Sequence, residues 1–275
     1  MAVNFGATVF FNQVNEFSRV TEIAKQYPLL SYVEFRGEFP FFFPNITPEQ
    51  DLDFFREILR QAGLRCTLHS TEYDVNLASL NRDLRAAAVE CYKKYIDLAA
   101  RVGAEVVVVH GGVLYQEYTQ TPDAGENILR AGHLLRRSLL ALSDYAAGKK
   151  LVIGLENSPP GADYALVFDA DSQIEFLKSI NRPNVKALVD IAHAFLRGLD
   201  LENYLNRIKP FLCEIHAHNN WGKNDDHLGL HHGKINFEAL LRHSAFQKVP
   251  VIMEIKSYQE AVATFEWLAR NGFSD

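Results

Sequence analysis

The sequence predicts an α/β fold, a single (β/α)₈ barrel over residues 1–275, and three observations carry that expectation. Short β-branched runs alternate with helical patterns along the whole chain. Counting gives eight such runs, each followed by a helix. No linker, low-complexity tract or composition break interrupts the series, and eight βα units without a break imply a closed barrel. An open doubly wound sheet is the alternative, but no GxGxxG or Walker loop follows any strand.

Taken in order, the first strand is VNFGATVF from Val3 and the second is YVEF from Tyr32. Apolar runs this short suit strands buried on both faces, as a parallel sheet requires. Thr47 before Pro48-Glu49-Gln50 reads as an N-cap with proline in the first helical turn. RCTLH closes the third strand at His69. A helical pattern with apolar residues three and four apart then runs from Leu77 to a terminating Gly103. EVVVVH ends the fourth strand at His110 and precedes a helix over roughly 124–148. LVIGLE ends at Glu156, VKALVD at Asp190 and FLCEIH at His216, with helices expected over 171–180, 201–208 and 237–244. VPVIMEI around Glu254 is the eighth strand, and a helix over 258–270 follows it.

With 48% hydrophobic and 23% charged residues, the chain has an ordinary globular balance and ample length to bury a core. A net charge of −6 argues against a nucleic-acid partner. The densest basic clusters, Lys149-Lys150 and Arg136-Arg137, read as solvated helix surface. Cys66, Cys91 and Cys213 are too widely spaced for a zinc ribbon or a disulfide framework, so reduced core thiols are expected. The N-terminus lacks a basic region and a cleavage site, and no apolar run approaches membrane-spanning length. The expectation is a soluble cytoplasmic protein with no membrane partner.

The polar residues at the strand ends carry the functional reading. Six consecutive strands end at or near His69, His110, Glu156, Asp190, His216 and Glu254. In a barrel these ends share one rim, where chemistry sits. Converging carboxylates repel unless a cation lies among them. Mixed imidazole and carboxylate donors suit Zn²⁺, Mn²⁺, Fe²⁺ or Co²⁺ better than Mg²⁺ or Ca²⁺. His193, three residues beyond Asp190, and Asp225 and His227, a short loop beyond His216, offer either an accessory metal centre or direct substrate contacts.

The ordered segments LHSTEYDVNLAS, VVVHGG, GLENSPP, LVDIAHAF, IHAHNN, DDHLGLHHGKINF and VIMEIKS resemble those of the xylose isomerase-like TIM barrels, a superfamily that includes endonuclease IV. The resemblance covers nearly the whole chain. Endonuclease IV proteins hold three zinc ions with nine ligands, and all nine residue types have counterparts here. The resemblance implies His69, His110 and Glu156 for a first ion. It implies bridging Glu156 with Asp190, His216 and Glu254 for a second, and His193, Asp225 and His227 for a third. Sugar isomerase and epimerase branches keep the quartet Glu156, Asp190, His216 and Glu254 for one divalent ion and use the two glutamates in proton transfer. Asn219 stands where the family commonly has aspartate, and Leu230-His231-His232-Gly233 replaces its usual LGEG. His218, His231, His232 and Asp226 fall outside the ligand pattern.

Three functions follow, of which the sequence favours the first and ranks the third last. The first is a divalent-metal-dependent isomerase or epimerase of a sugar or sugar phosphate, acting through a metal-stabilised enediolate, with Glu156 and Glu254 passing the proton. The second is phosphoester hydrolysis at a multinuclear zinc centre, with Arg36, Lys223 and Lys234 considered as phosphate partners but better read as surface charge. The third is an inactive ligand-binding barrel. Zinc or manganese, one to three ions per chain, a small carbohydrate-like substrate and a homo-oligomer belong to the expectation. Phe39, Phe41, Phe42 and Phe43 read as an aromatic lid or a subunit interface.

Overall fold

The computed structural model describes residues 3–9, 13–38, 42–44 and 46–273, with backbone alone at 13–16. Eight parallel strands close a barrel: β1 (Phe5–Val9), β2 (Leu30–Arg36), β3 (Arg65–His69), β4 (Val106–His110), β5 (Val152–Glu156), β6 (Val185–Asp190), β7 (Leu212–Ala217) and β8 (Val251–Met253). Each strand pairs with its sequence neighbours, and β8 closes on β1. A two-stranded antiparallel ribbon, Val113–Leu114 with Tyr164–Ala165, lies outside the barrel. The helices are α1 (Gln13–Gln26), α2 (Glu49–Ala62), α3 (Arg82–Val102), α4 (Ala124–Ala147), α5 (Ala170–Ile180), α6 (Ile191–Leu196), α7 (Leu201–Ile208), α8 (Phe237–Leu240) and α9 (Tyr258–Arg270), with a single turn at Gln116–Thr119. Among the described residues no helix is long and apolar enough to cross a membrane.

Strand period two explains both layers of the core. In β4, Val107 and Val109 share one face while Val108 and His110 share the other, and the three valines are fully buried. Helix α2 buries Leu52, Phe55 and Leu59 at three- and four-residue spacing and ends at Gly63, whose φ of 67° suits glycine. All three cysteines are free thiols, with Cys66 and Cys213 buried.

Several local expectations are corrected. The third helix begins at Arg82 and not near Leu77, because Asn81 Oδ1 accepts the Asp83 and Leu84 N–H groups and caps it. Thr47 is not the cap of α2; Pro48 occupies that position, and Thr47 Oγ1 instead accepts the Phe43 N–H. The expected helix over 237–244 shrinks to Phe237–Leu240 followed by turns. Of the aromatic loop, Phe39 and Phe41 lie outside the described residues. Phe42 is no lid: it is fully buried, stacked on Phe35 at 4.5 Å. Phe43 meets Tyr95 edge-on at 6.0 Å.

Gln173 of α5 shows how the helical layer holds the rim. Its buried amide donates to the carbonyls of Leu155 (2.6 Å) and Leu188 (2.8 Å), and its oxygen accepts from the Tyr204 hydroxyl (2.9 Å). The two carbonyls belong to β5 and β6, one and two residues before Glu156 and Asp190. Gln173→Leu removes both donations and leaves the buried Tyr204 hydroxyl without this acceptor, and is expected to lower unfolding stability by roughly 1–3 kcal/mol. Chemical denaturation with unchanged m-value measures it; a loss below about 0.5 kcal/mol would contradict this account.

Candidate metal centre

Strand register sets the donors side by side. His110 pairs with Glu156, Asp190 with His216, and Arg36 with His69 across neighbouring strands. Glu254 follows β8 directly, where His216 pairs with Ile252. Asp190 ends β6 and also caps α6: its Oδ1 accepts the His193 N–H at 2.8 Å, which brings His193 back over the rim. The sequence spacing Asp190-to-His193 is thus one helical turn and not a loop. Asp225 and His227 come from the long segment after β7.

All nine side chains singled out from the sequence come together. An outer group joins His69 Nε2, His110 Nε2 and Glu156 Oε2, with separations of 3.2 Å (His69–His110), 3.2 Å (His110–Glu156) and 3.5 Å (His69–Glu156). A central group joins Glu156, Asp190, His216 and Glu254, whose donor atoms all lie within 4.8 Å of one another. His216 Nδ1 stands 3.5 Å from Glu156 Oε1 and 3.4 Å from Glu254 Oε2. An accessory group places His193 Nε2 at 3.4 Å and His227 Nε2 at 3.1 Å from Asp225 Oδ2.

The ring orientations are fixed from behind. His69, His193 and His227 each hold Nδ1 at 2.8 Å from a backbone carbonyl, of Ser70, Asn157 and Glu254 respectively. Nδ1 therefore donates and Nε2 faces the site, the arrangement expected of a metal-binding imidazole. His216 is reversed: Nε2 lies 3.2 Å from Glu34 and 3.1 Å from Glu214, so Nδ1 faces the site. Among the described residues, Glu156 Oε2, His216 Nδ1, His218 Nδ1 and Asp225 Oδ1 are buried without a hydrogen-bond partner. Unpaired buried atoms of this kind are costly, and a cation among them removes the cost. The residues fit a divalent ion of the zinc or manganese type.

The structure adds residues that sequence reasoning missed or misplaced. Arg36 is not surface charge; its side chain is buried and joins Glu254 Oε1 (2.9 Å) to Glu72 Oε1 (2.7 Å). Glu72 Oε2 reaches to 3.5 Å from His110, and Glu38 holds the segment by accepting from the Glu72 N–H and the Thr71 hydroxyl. Glu34 and Glu214 form a buried floor under His216. Strand alternation was the available signal, since Glu34 and Arg36, like Glu214 and His216, are two apart. His218, set aside as a bystander, is fully buried with Nε2 3.0 Å from Asp190 Oδ2. Asn219 is a latch, donating to the Leu230 and Ile235 carbonyls. His231, His232, Lys223 and Lys234 are exposed, and Asp226 accepts the Trp221 N–H.

Electrostatics follow from this crowding. Burial alone would raise the Glu156 carboxyl, but His110 and His216 hold it well below the usual range. Burial likewise opposes the charge on Glu254, and His216 and Arg36 outweigh it. Burial disfavours a charged His193, yet Asp190 and Asp225 lift its pKa to about 10. Glu214 is pushed up to about 8 by burial, in spite of His216 and helped by Glu34.

Comparison with known proteins agrees with this geometry. The sequence model of the family described as xylose isomerase-like TIM barrel matches residues 24–271. An uncharacterized protein of Methanocaldococcus jannaschii is 30% identical over 227 residues, covering 80% of this chain and 74% of that one. A probable endonuclease 4 of Mycobacterium leprae is 28% identical over 205 residues, 72% of this chain and 75% of its own. Among solved structures, a D-tagatose 3-epimerase-like protein superposes with a TM-score of 0.81 at 23% identity, over 98% of this chain and 97% of that one. At that identity the likeness concerns the fold. The eight-stranded closure, the rim of histidines and carboxylates and the match over nearly the full length lead to one conclusion: the chain belongs to the xylose isomerase-like TIM barrel family.

Proposed function

We propose that the chain is a metal-dependent hydrolase of small phosphate esters, working at a multinuclear divalent-metal centre built from the outer, central and accessory groups. The observation that carries this reading is Glu156. Its Oε2 faces His69 and His110 while its Oε1 faces His216 at 3.5 Å. A carboxylate shared in this way would hold one ion with each oxygen, and would then keep no oxygen for a substrate proton. Glu254 is committed as well, between Arg36 and His216.

When bound, the ions supply Lewis-acid stabilisation of charge on the ester and its leaving oxygen. The chain's own residues prepare that. Arg36 keeps Glu254 ionised and ties it to Glu72 on the rim. The Glu34–Glu214 floor fixes His216 so that Nδ1 points upward. Relatives described as probable endonuclease 4 support ester hydrolysis, whereas the net charge of −6 favours a small ester over DNA.

A second reading is the isomerase or epimerase with Glu156 and Glu254 in proton transfer, and one observation favours it. Glu156 Oε2 accepts no hydrogen bond, so with only the central group loaded it would be free to take a proton from carbon. The experiment counts ions by mass spectrometry after reconstitution with zinc or manganese. It then follows p-nitrophenol release from p-nitrophenyl phosphate and its diester, beside deuterium uptake from D₂O into ketoses and their phosphates. About three ions per chain, one for each donor group, with hydrolysis is expected. A single ion with deuterium uptake would transfer the assignment to isomerisation.

A further inference from the structure

Helix α6, which carries His193, has only six residues, Ile191–Leu196. A helix this short is marginal on its own, so its orientation depends on what grips it from outside. Three polar anchors do so, at Asp190, His193 and Arg197. They are spaced three and four residues apart and therefore share one face of the helix. All three bind the same stretch of chain, the residues that leave β5 directly after Glu156.

Asn157 takes the first two anchors. Its side chain is fully buried and clamps the Asp190 main chain from both sides: Oδ1 accepts the Asp190 N–H at 2.8 Å, and Nδ2 donates to the Asp190 carbonyl at 3.0 Å. The Asn157 carbonyl then accepts from His193 Nδ1 at 2.8 Å. Arg197, just past the end of α6, takes the third. Its Nε donates to the Ser158 carbonyl at 2.8 Å and its Nη2 to the Pro159 carbonyl at 2.7 Å. Arg197 Cζ lies 4.9 Å from the centre of the Phe168 ring, which fixes the plane of the guanidinium. The strap is itself tied down, since the Ser158 N–H donates to the Val167 carbonyl at 2.9 Å. Residues 156–159 thus run along one face of α6 as a strap that begins at Glu156.

We propose that Asn157 and Arg197 are positioning residues of the metal centre: they lock α6 to the strap and so set Asp190 and His193 against Glu156. Neither donates to an ion. Donors of a metal site must be held within about 0.5 Å and 10–20° of their working geometry, and a six-residue helix cannot supply that by itself. The three donor groups depend on α6 to different degrees. His69 and His110 reach the outer group from β3 and β4, so the angle of α6 does not touch them. His193 rides on the helix and follows any change in it. Asp190 stands at the junction, paired with His216 on the β7 side and clamped by Asn157 on the β5 side. Release of Arg197 therefore weakens the accessory ion selectively, and release of Asn157 weakens the central and accessory ions together. This inference rests on reading these side chains as metal donors and not on the choice of reaction.

The test compares wild-type, Arg197→Met and Asn157→Ala protein loaded with zinc. Crystals measured at the zinc absorption edge give the occupancy of each position, and chelator competition in solution gives the affinities. Arg197→Met keeps an apolar stem against Phe168 and removes both donations. It should bind the accessory ion about 10–100-fold more weakly, the usual cost of a lost supporting partner, with the outer ion within about threefold of wild type. Asn157→Ala should weaken the central and accessory ions by a similar factor and spare the outer one. Arg197→Lys keeps one donor and should recover part of the loss. A merely structural role would lower the melting temperature of Arg197→Met and leave its ions alone, or weaken all three equally, and either result overturns the proposal. A wild-type protein that holds no ion at His193 overturns it too. Arg197 is half-buried, so Arg197→Met decides the matter if Asn157→Ala does not fold. Absence of ester hydrolysis in the wild type would defeat the proposed function and leave these occupancies unchanged.

Discussion

Glu156→Gln is expected to remove both the outer and the central ion while the accessory ion stays. Glutamine keeps the shape of glutamate but loses the charge and one of the two oxygens that separate donor groups share. The outer group retains only His69 and His110, two neutral donors, and the central group retains Asp190, His216 and Glu254 with its charge reduced. Loss of a supporting partner alone lowers affinity about 10–100-fold, so loss of a bridging ligand should exceed that at both positions. Ester hydrolysis then falls by about 10³-fold or more, since a Lewis-acid pair contributes several kcal/mol to the transition state. Mass-spectrometric metal counts on purified Glu156→Gln, Glu254→Gln and wild-type protein provide the check. Glu254→Gln should affect the central ion alone. Retention of the full metal complement by Glu156→Gln would refute the bridging role, and with it the argument for hydrolysis over isomerisation.

Much of this centre was legible because a parallel barrel converts chain order into angular order. Once the apolar runs are read as strands, each terminal residue has a place on the rim, and His69, His110, Glu156, Asp190, His216 and Glu254 fall into a ring without knowledge of any contact. His193 was legible by proximity to Asp190, although the helix that Asp190 caps was not foreseen. What escaped were groups whose role depends on side-chain reach. Arg36 looks like surface charge in a linear reading, because nothing local announces that Glu254, 218 residues away, and Glu72 will neutralise it. Glu34 and Glu214 sit one strand layer below the rim, where a buried carboxylate is intelligible only once His216 is seen between them. His218 was hidden by the histidine richness of its own segment. Five histidines in EIHAHNNWGKNDDHLGLHHG invite a single explanation, and the fold divides them: His216 on β7 and His218 just beyond it are buried, His227 stacks on His218, and His231 and His232 are exposed.

Metal binding to the ion-free protein at pH 7 is expected to expel protons, and affinity at the accessory group should rise with pH up to about 10. His193 carries the argument: Asp190 and Asp225 raise its pKa to about 10, so without an ion it is protonated at neutral pH. An ion needs the neutral ring, and each displaced proton makes binding about tenfold tighter per pH unit. His216 is shifted in the same direction, burial being outweighed by Glu254, Glu34 and Glu156. Calorimetry in buffers of different ionisation enthalpy reads the proton count directly, and a heat independent of buffer would sink the prediction. Stability supplies a second readout with a definite sign. A histidine whose folded pKa exceeds its unfolded value of about 6.5 stabilises fully below that value and loses the contribution as pH climbs through about 10. Glu156 and Glu254, held low in the fold, stabilise above about 4.3 and lose that contribution on acidification through their depressed values. Glu214, whose folded pKa of about 8 exceeds its unfolded value of about 4.3, loses its contribution as pH rises between those values, so the ion-free protein should be most stable near about pH 4.3 and soften progressively toward pH 10. The zinc-loaded protein should hold its melting temperature over that alkaline range, because the ion has already replaced the protons on which the ion-free site depends.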